Sequence, residues 1–174
     1  MGIQFETDYN METLTAMAKG LRKTVRKKRS RRVHIFAAVV LVFGLLTILA
    51  TVAGGEPLGA SGVVTLLALL VVILVSLFED RLNAWFAKKR LLPGTEHATA
   101  TFEEDGYVSA TGVTESRFSY AQIVAIAETA RYFVFALSSH HTQAYDKRNI
   151  RGGSVENFRA FIAEKTGRPV EDIK

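Results

Sequence analysis

Residues 33–54 read VHIFAAVVLVFGLLTILATVAG and residues 58–78 read LGASGVVTLLALLVVILVSLF. Neither run contains Asp, Glu, Lys or Arg, and only Gly55, Glu56 and Pro57 separate them. A helix needs about 20 predominantly apolar residues to cross roughly 30 Å of hydrocarbon, and both runs reach that length. So short a break permits only a tight reversal. The reading that follows is a transmembrane helical hairpin over 33–78, with spans at 33–54 and 57–78.

The flanks orient it. Lys and Arg crowd the N-terminal side of the first run, Lys88, Lys89 and Arg90 follow the second, and the connecting loop holds Glu56. Cationic flanks stay cytoplasmic, so the expected location is a cell membrane, crossed twice, with both termini inside. A cleaved signal peptide fits less well, because the basic leader and the apolar run are both too long and a second run follows at once.

Charge divides along the same line. Up to Leu92 the chain holds 13 Lys/Arg against 6 Asp/Glu, a net +7; from Pro93 it holds 9 against 11, a net −2. The basic pI of about 9.6 therefore belongs to the membrane flank, which removes most of the support for nucleic-acid binding. Cysteine is absent, so disulfides and thiolate metal sites are excluded.

Before the hairpin, residues 1–32 form a cytoplasmic segment. Ile3 and Phe5 alternate with Gln4 and Glu6, a minimal strand pattern. From Asn10, a suitable N-cap, Met11, Leu14, Met17, Leu21 and Val25 make one helical stripe. The stripe runs into Arg22, Lys23, Arg26, Lys27, Lys28, Arg29, Arg31 and Arg32. This cluster reads first as a topology signal and second as the charged face of a helix lying on anionic lipid. Whether the stripe packs on protein or lipid stays open. At the hairpin base, Arg31 and Arg32 are expected to pair with Glu79 and Asp80.

After the hairpin, residues 79–95 form an interfacial helix end and linker, with Trp85 and Phe86 at headgroup level and Pro93-Gly94 marking the boundary. Residues 96–174 then change to short strands with turn punctuation: 98–103, an Asp105-Gly106 turn, 107–111, 113–119, 122–128, 132–137, a polar tip at 138–141, and 142–146. Ser154 caps a last helix whose Val155, Phe158, Phe161 and Ile162 share a face, and Gly167-Arg168-Pro169 stops it. The fold class expected is an α+β membrane protein, with an antiparallel β half-barrel closed by the C-terminal helix. The exposed sheet edge is expected to take 3–6 as a strand, placing Ile3 and Phe5 near Phe158 and Phe161.

The stretches TFEEDG (101–106), YAQI (120–123), IAET (126–129), YFV (132–134) and DKR (146–148), with the helix over 156–162, resemble the YcxB-like domain of bacterial membrane proteins. The resemblance covers residues 96–165, and the family's order of N-terminal segment, two spans and β domain matches the chain. It implies a pleckstrin-homology-like barrel and implies no activity. Tyr120 stands where the family often has Trp, and Asp146 where a Pro often precedes Lys-Arg.

No phosphate-cradling glycine loop is present. His140-His141 with Asp146 falls short of the three or four converging ligands a metal needs, so neither metal nor cofactor is expected. Glu128, a carboxylate in an apolar run, reads as the partner of Arg131 or Lys147. The function expected is a non-catalytic, membrane-anchored scaffold or regulatory module, its partners the lipid bilayer and a further protein or a second copy. The alternative is a reader of anionic headgroups or phosphorylated ligands through Lys147, Arg148 and Arg151.

Overall fold

The alternation of Ile3, Phe5 and Thr7 becomes strand β1 (Ile3–Asp8), with Phe5 and Thr7 buried and Gln4 and Asp8 exposed. This is seen in a computed structural model that describes residues 2–173. Asn10 then caps α1 (Met11–Lys23), its Oδ1 accepting from the Glu12 and Thr13 amides at 2.9 and 3.0 Å. The side chain thus satisfies two amides that have no partner inside the helix.

Two long apolar helices follow, α2 (Lys27–Ala53) and α3 (Ala60–Leu77). Helix α2 begins six residues before the apolar run, because Lys and Arg are good helix formers. Each helix is long and apolar enough to cross a membrane, and almost none of that apolar surface is covered by protein. The two approach closely where Gly44 faces Leu69: a Cβ at Gly44 would lie 2.5 Å from Leu69 Cδ2. The hairpin is therefore built around a small residue at its crossing. Helix α4 (Glu79–Lys89) continues from Phe78.

The β region forms two open sheets rather than one continuous curved sheet. The first holds β4 (Glu115–Phe118), β3 (Tyr107–Thr111), β2 (His97–Phe102), β1 and β8 (Ile150–Arg151) in that order. The second holds β7 (Thr142–Asp146), β6 (Tyr132–Ala136), β5 (Ala125–Glu128) and β9 (Val170–Asp172). All pairings are antiparallel except β5 with β9, which is parallel. The two open sheets fit the half-barrel expectation, and α5 (Val155–Thr166) packs into it.

Two local readings are corrected, and two short strands are added. The strand expected over 113–119 shortens to Glu115–Phe118. The strand expected over 122–128 starts late, at Ala125, because a 3₁₀ turn at Tyr120–Gln122 precedes it, where Ser119 and Gln122 form a capping box that turns the backbone. Strands β8 and β9 are too short to show any period in sequence.

Strand β1 is an interior strand of the first sheet, paired to β2 (Phe5 opposite Ala100) and to β8 (Phe5 opposite Ile150). Its edge-covering role is therefore met on both sides. Phe5 reaches the core between sheets and helix: its ring centroid lies 4.6 Å from Phe158, 5.8 Å from Phe102 and 5.6 Å from Tyr145. Offset and edge-on contacts of this kind add to the burial of area. Phe5→Ala is expected to cost about 3–5 kcal/mol, the range for a buried Phe truncated in a packed core. Urea unfolding of the full chain in mild detergent measures it; a loss below about 1 kcal/mol would show that β1 is dispensable to the core.

Candidate functional site

Helix α1 decides how the β domain meets the hairpin. Leu14 and Leu21 are buried, and Met17 packs on the cluster of Ala127, Tyr132, Val134 and Ala144 from the second sheet. Gly20 lies directly on Val134; a Cβ there would come within 2.7 Å of Val134 Cγ1. The stripe therefore packs on protein, which settles the question its amphipathicity left open. Thr13, also buried, donates from Oγ1 to the Asp8 carbonyl at 2.6 Å and sits 3.2 Å from the Tyr132 hydroxyl.

The same helix packs along α4, whose Ala84 is fully buried. Where α1 ends and α4 begins, Arg22 grips Asp80 with two parallel bonds, Nε to Oδ1 at 2.7 Å and Nη2 to Oδ2 at 2.6 Å. Both side chains are three-quarters covered or more. The carboxylate holds the Arg22 guanidinium above its ordinary value. Glu79 Oε2 stands 3.9 Å from Arg22 Nε and 3.7 Å from His34 Nε2.

This corrects the expected pairing of Arg31 and Arg32 with Glu79 and Asp80. The turn between α1 and α2 folds Arg22 back onto the start of α4, while Arg31 and Arg32 stay exposed on α2. Of the remaining basic cluster, Arg26 is half-buried and donates from Nε to the Ser139 carbonyl at 2.6 Å. Lys23, Lys27, Lys28 and Arg29 are exposed.

A cavity of about 610 Å³ lies between α1, the start of α2, α4 and the β6–β7 tip that carries His140 and His141. Pockets of about 300–1,000 Å³ are the usual size for small-ligand sites. Leu14, Leu21, Val33 and Phe86 give it apolar walls; Arg26, Arg29 and Arg90 line it with positive charge. Sequence reading missed this site, because its walls come from four separated segments and only the fold brings them together.

The three cations named from sequence are each placed against a carboxylate. Lys147 Nζ donates to Glu128 Oε1 at 2.9 Å and to the Thr129 carbonyl at 2.6 Å. Arg148 Nη2 is 3.2 Å from Asp146 Oδ2, and Arg151 Nη2 is 3.1 Å from Glu6 Oε1. Asp146 is buried, also accepts from Arg131 at 2.7 and 2.9 Å, and receives the Arg148 amide at 3.0 Å. Arg131 reaches on to Glu12 at the start of α1, adding a charged clasp between helix and sheet.

Glu128 pairs with Lys147, as one of its two expected partners. Its other expected partner, Arg131, goes to Asp146, and Arg159 of α5 takes that place with bonds of 2.7 Å to each carboxylate oxygen. Arg159, followed by Lys147, holds the Glu128 carboxyl below the usual carboxylate range against the opposing effect of burial.

Residues 102–162 match the model of the YcxB-like protein family. The similarity is confined to this region. The YcxB-like region runs from the last residue of β2 into α5 and contains β3–β8; β1, α1 and the apolar hairpin lie outside it. No curated protein and no solved structure matches the chain.

Two outcomes follow from these contacts. A double-mutant cycle on Arg22→Gln and Asp80→Asn is expected to give coupling of about 1–3 kcal/mol in urea unfolding, the range for charge-assisted bonds between contacting residues. The same cycle on Arg32 and Asp80 is expected to give none. Glu128→Gln is expected to lower stability at neutral pH by about 1–2 kcal/mol. Because the folded state lowers the Glu128 pKa, its contribution is present above the unfolded value of about 4.3 and fades as pH falls through the lowered value. Urea midpoints of parent and variant should therefore converge under acid conditions; a gap that stays constant across that window would exclude the pairing as its source.

Proposed function

We propose that the chain is a non-catalytic, membrane-anchored interaction module of the bacterial inner membrane. Helices α2 and α3 cross the bilayer as a hairpin, both termini are cytoplasmic, and residues 54–62 lie on the far side. What supports the insertion is the length and uncovered apolar surface of the two helices, together with the Lys/Arg asymmetry of their flanks. The β domain, two open sheets closed by α5, is read as pleckstrin-homology-like, and its partner as another protein or a second copy of the chain.

One observation carries the module reading. Helix α1 is packed on the second sheet and on α4 at once, so the domain is held against the hairpin instead of hanging from a linker. A surface held at a fixed height and orientation over the membrane suits docking, since the ordering entropy of binding is already reduced.

The second reading, recognition of anionic headgroups or phosphorylated ligands through Lys147, Arg148 and Arg151, draws on the exposure of Arg148 and Arg151. Against it stand the carboxylate beside each cation and the net −2 of the chain from Pro93 onward.

The parent chain has no cysteine, so single cysteines report cleanly. A cysteine at Ser61 is expected to react with a membrane-impermeant maleimide in intact cells, and one at Ser109 only after lysis; the reverse pattern inverts the topology. A photo-crosslinking residue at exposed Leu92, Val113 or Val124 is expected to give a discrete adduct in cells. No adduct from any of the three, with a monomer in mild detergent, would remove the module reading.

A further inference from the structure

The cavity at the hairpin base has the chemistry of a phospholipid headgroup site. It opens at a defined level: Val33 begins the first apolar run, and Glu79 follows the last residue of the second. In the membrane-anchored reading, on which this inference rests, that level is the cytoplasmic boundary between headgroups and hydrocarbon.

Its charges are unbalanced in one direction. Arg22 is neutralised by Asp80. Arg29 and Arg90 pair with no carboxylate among the described residues, and Arg26 is anchored by a neutral carbonyl, which leaves its charge uncompensated. Three guanidinium groups, two from the start of α2 and one from the end of α4, therefore line one space. The planar donor fork of Arg matches phosphate oxygens. Glu79 is the single acidic residue of the lining, and its buried Oε2 receives no hydrogen bond from the described residues. The apolar walls, Leu14, Leu21 and Phe86 with Val33 at the lip, suit the glycerol backbone and the first methylenes of acyl chains.

We propose that this cavity binds the headgroup of an anionic glycerophospholipid of the cytoplasmic leaflet, its phosphate held by Arg26, Arg29 and Arg90. Lipid held there would brace α1, α4 and the β6–β7 tip together, joining the domain's position to the composition of the membrane beneath it. The site differs from the Lys147, Arg148 and Arg151 group, where every cation already has an acid.

Native mass spectrometry of the full chain in a neutral mild detergent tests this, with phosphatidylglycerol, phosphatidylcholine of the same acyl chains, and free glycerol phosphate as probes. Phosphatidylglycerol is expected to be retained in preference to the other two. Replacing Arg26, Arg29 and Arg90 together with Gln is expected to weaken its binding by about tenfold or more, since clustered juxtamembrane cations each add measurably to anionic-lipid affinity. Replacing Lys28, Arg31 and Arg32 with Gln removes the same charge from the same flank outside the cavity and is expected to weaken binding clearly less than the cavity variant does, by the general surface attraction alone. Arg90→Gln alone, at an exposed helix end, gives a milder version of the first result should the triple variant fail to fold. Equal binding of the two lipids overturns the proposal, as does equal loss in both triple variants or binding of free glycerol phosphate as tight as that of the lipid. Release of the chain from membranes by alkaline carbonate would instead overturn the membrane-anchored reading beneath it; a carbonate-resistant chain with no preference for phosphatidylglycerol overturns the lipid site alone.

Discussion

The contact of α1 with the second sheet is the constraint from which the arrangement follows. Gly20 against Val134 brings the helix backbone onto the sheet at a distance that no larger residue permits. Leu14, Met17 and Leu21 then fill the space on that side, and Ala84 lets α4 close on the other. Small residues at both contacts allow close approach, which maximises dispersion contacts between elements that are far apart in sequence. Were α1 a lipid-facing helix, β1 and α2 would be joined by a mobile arm. Packed as it is, it makes the β domain and the hairpin base one body.

Strand β1 leads directly into the same helix and ties it to the core. Phe5 meets Phe102, Phe133, Tyr145 and Phe158, so residues from both sheets and α5 share one aromatic cluster. Thr7 adds a polar tie, receiving the Asp146 amide at 3.0 Å across to the second sheet. The YcxB-like region therefore contains only part of its own fold: the strand between β2 and β8 in the first sheet comes from before the hairpin.

The charges sort into two kinds by what surrounds them. Within the β domain, Asp146 and Glu128 are buried, and each gathers several cations; an unpaired carboxylate there would carry a large desolvation cost. These groups hold β5, β7 and α5 together and are of little use to a ligand. Around the hairpin base the excess is positive, because the sequence places cations on both flanks and supplies only Glu79 and Asp80 against them. The chemistry that remains available is therefore beside the hairpin-facing end of the domain.

The sequence by itself determined the elements whose signal is local. The two apolar helices follow from uninterrupted runs, α1 and α5 from caps and a 3.6-residue period, and β2, β3, β6 and β7 from alternation bounded by turns. The placement of 3–6 on the sheet, with Phe5 near Phe158, was also legible, because an open edge and an alternating segment both need a partner. The tertiary structure decided what depends on segments meeting. It divided the strands between two sheets, added β8 and β9, sent Arg22 and not Arg31 or Arg32 to Asp80, and gave Glu128 to Arg159 of α5. It also assembled the cavity from α1, α2, α4 and the β6–β7 tip. Pairing over such separations is set by the angle and distance at which packed elements cross, and a hydrophobic period specifies which face of an element is buried without specifying against what.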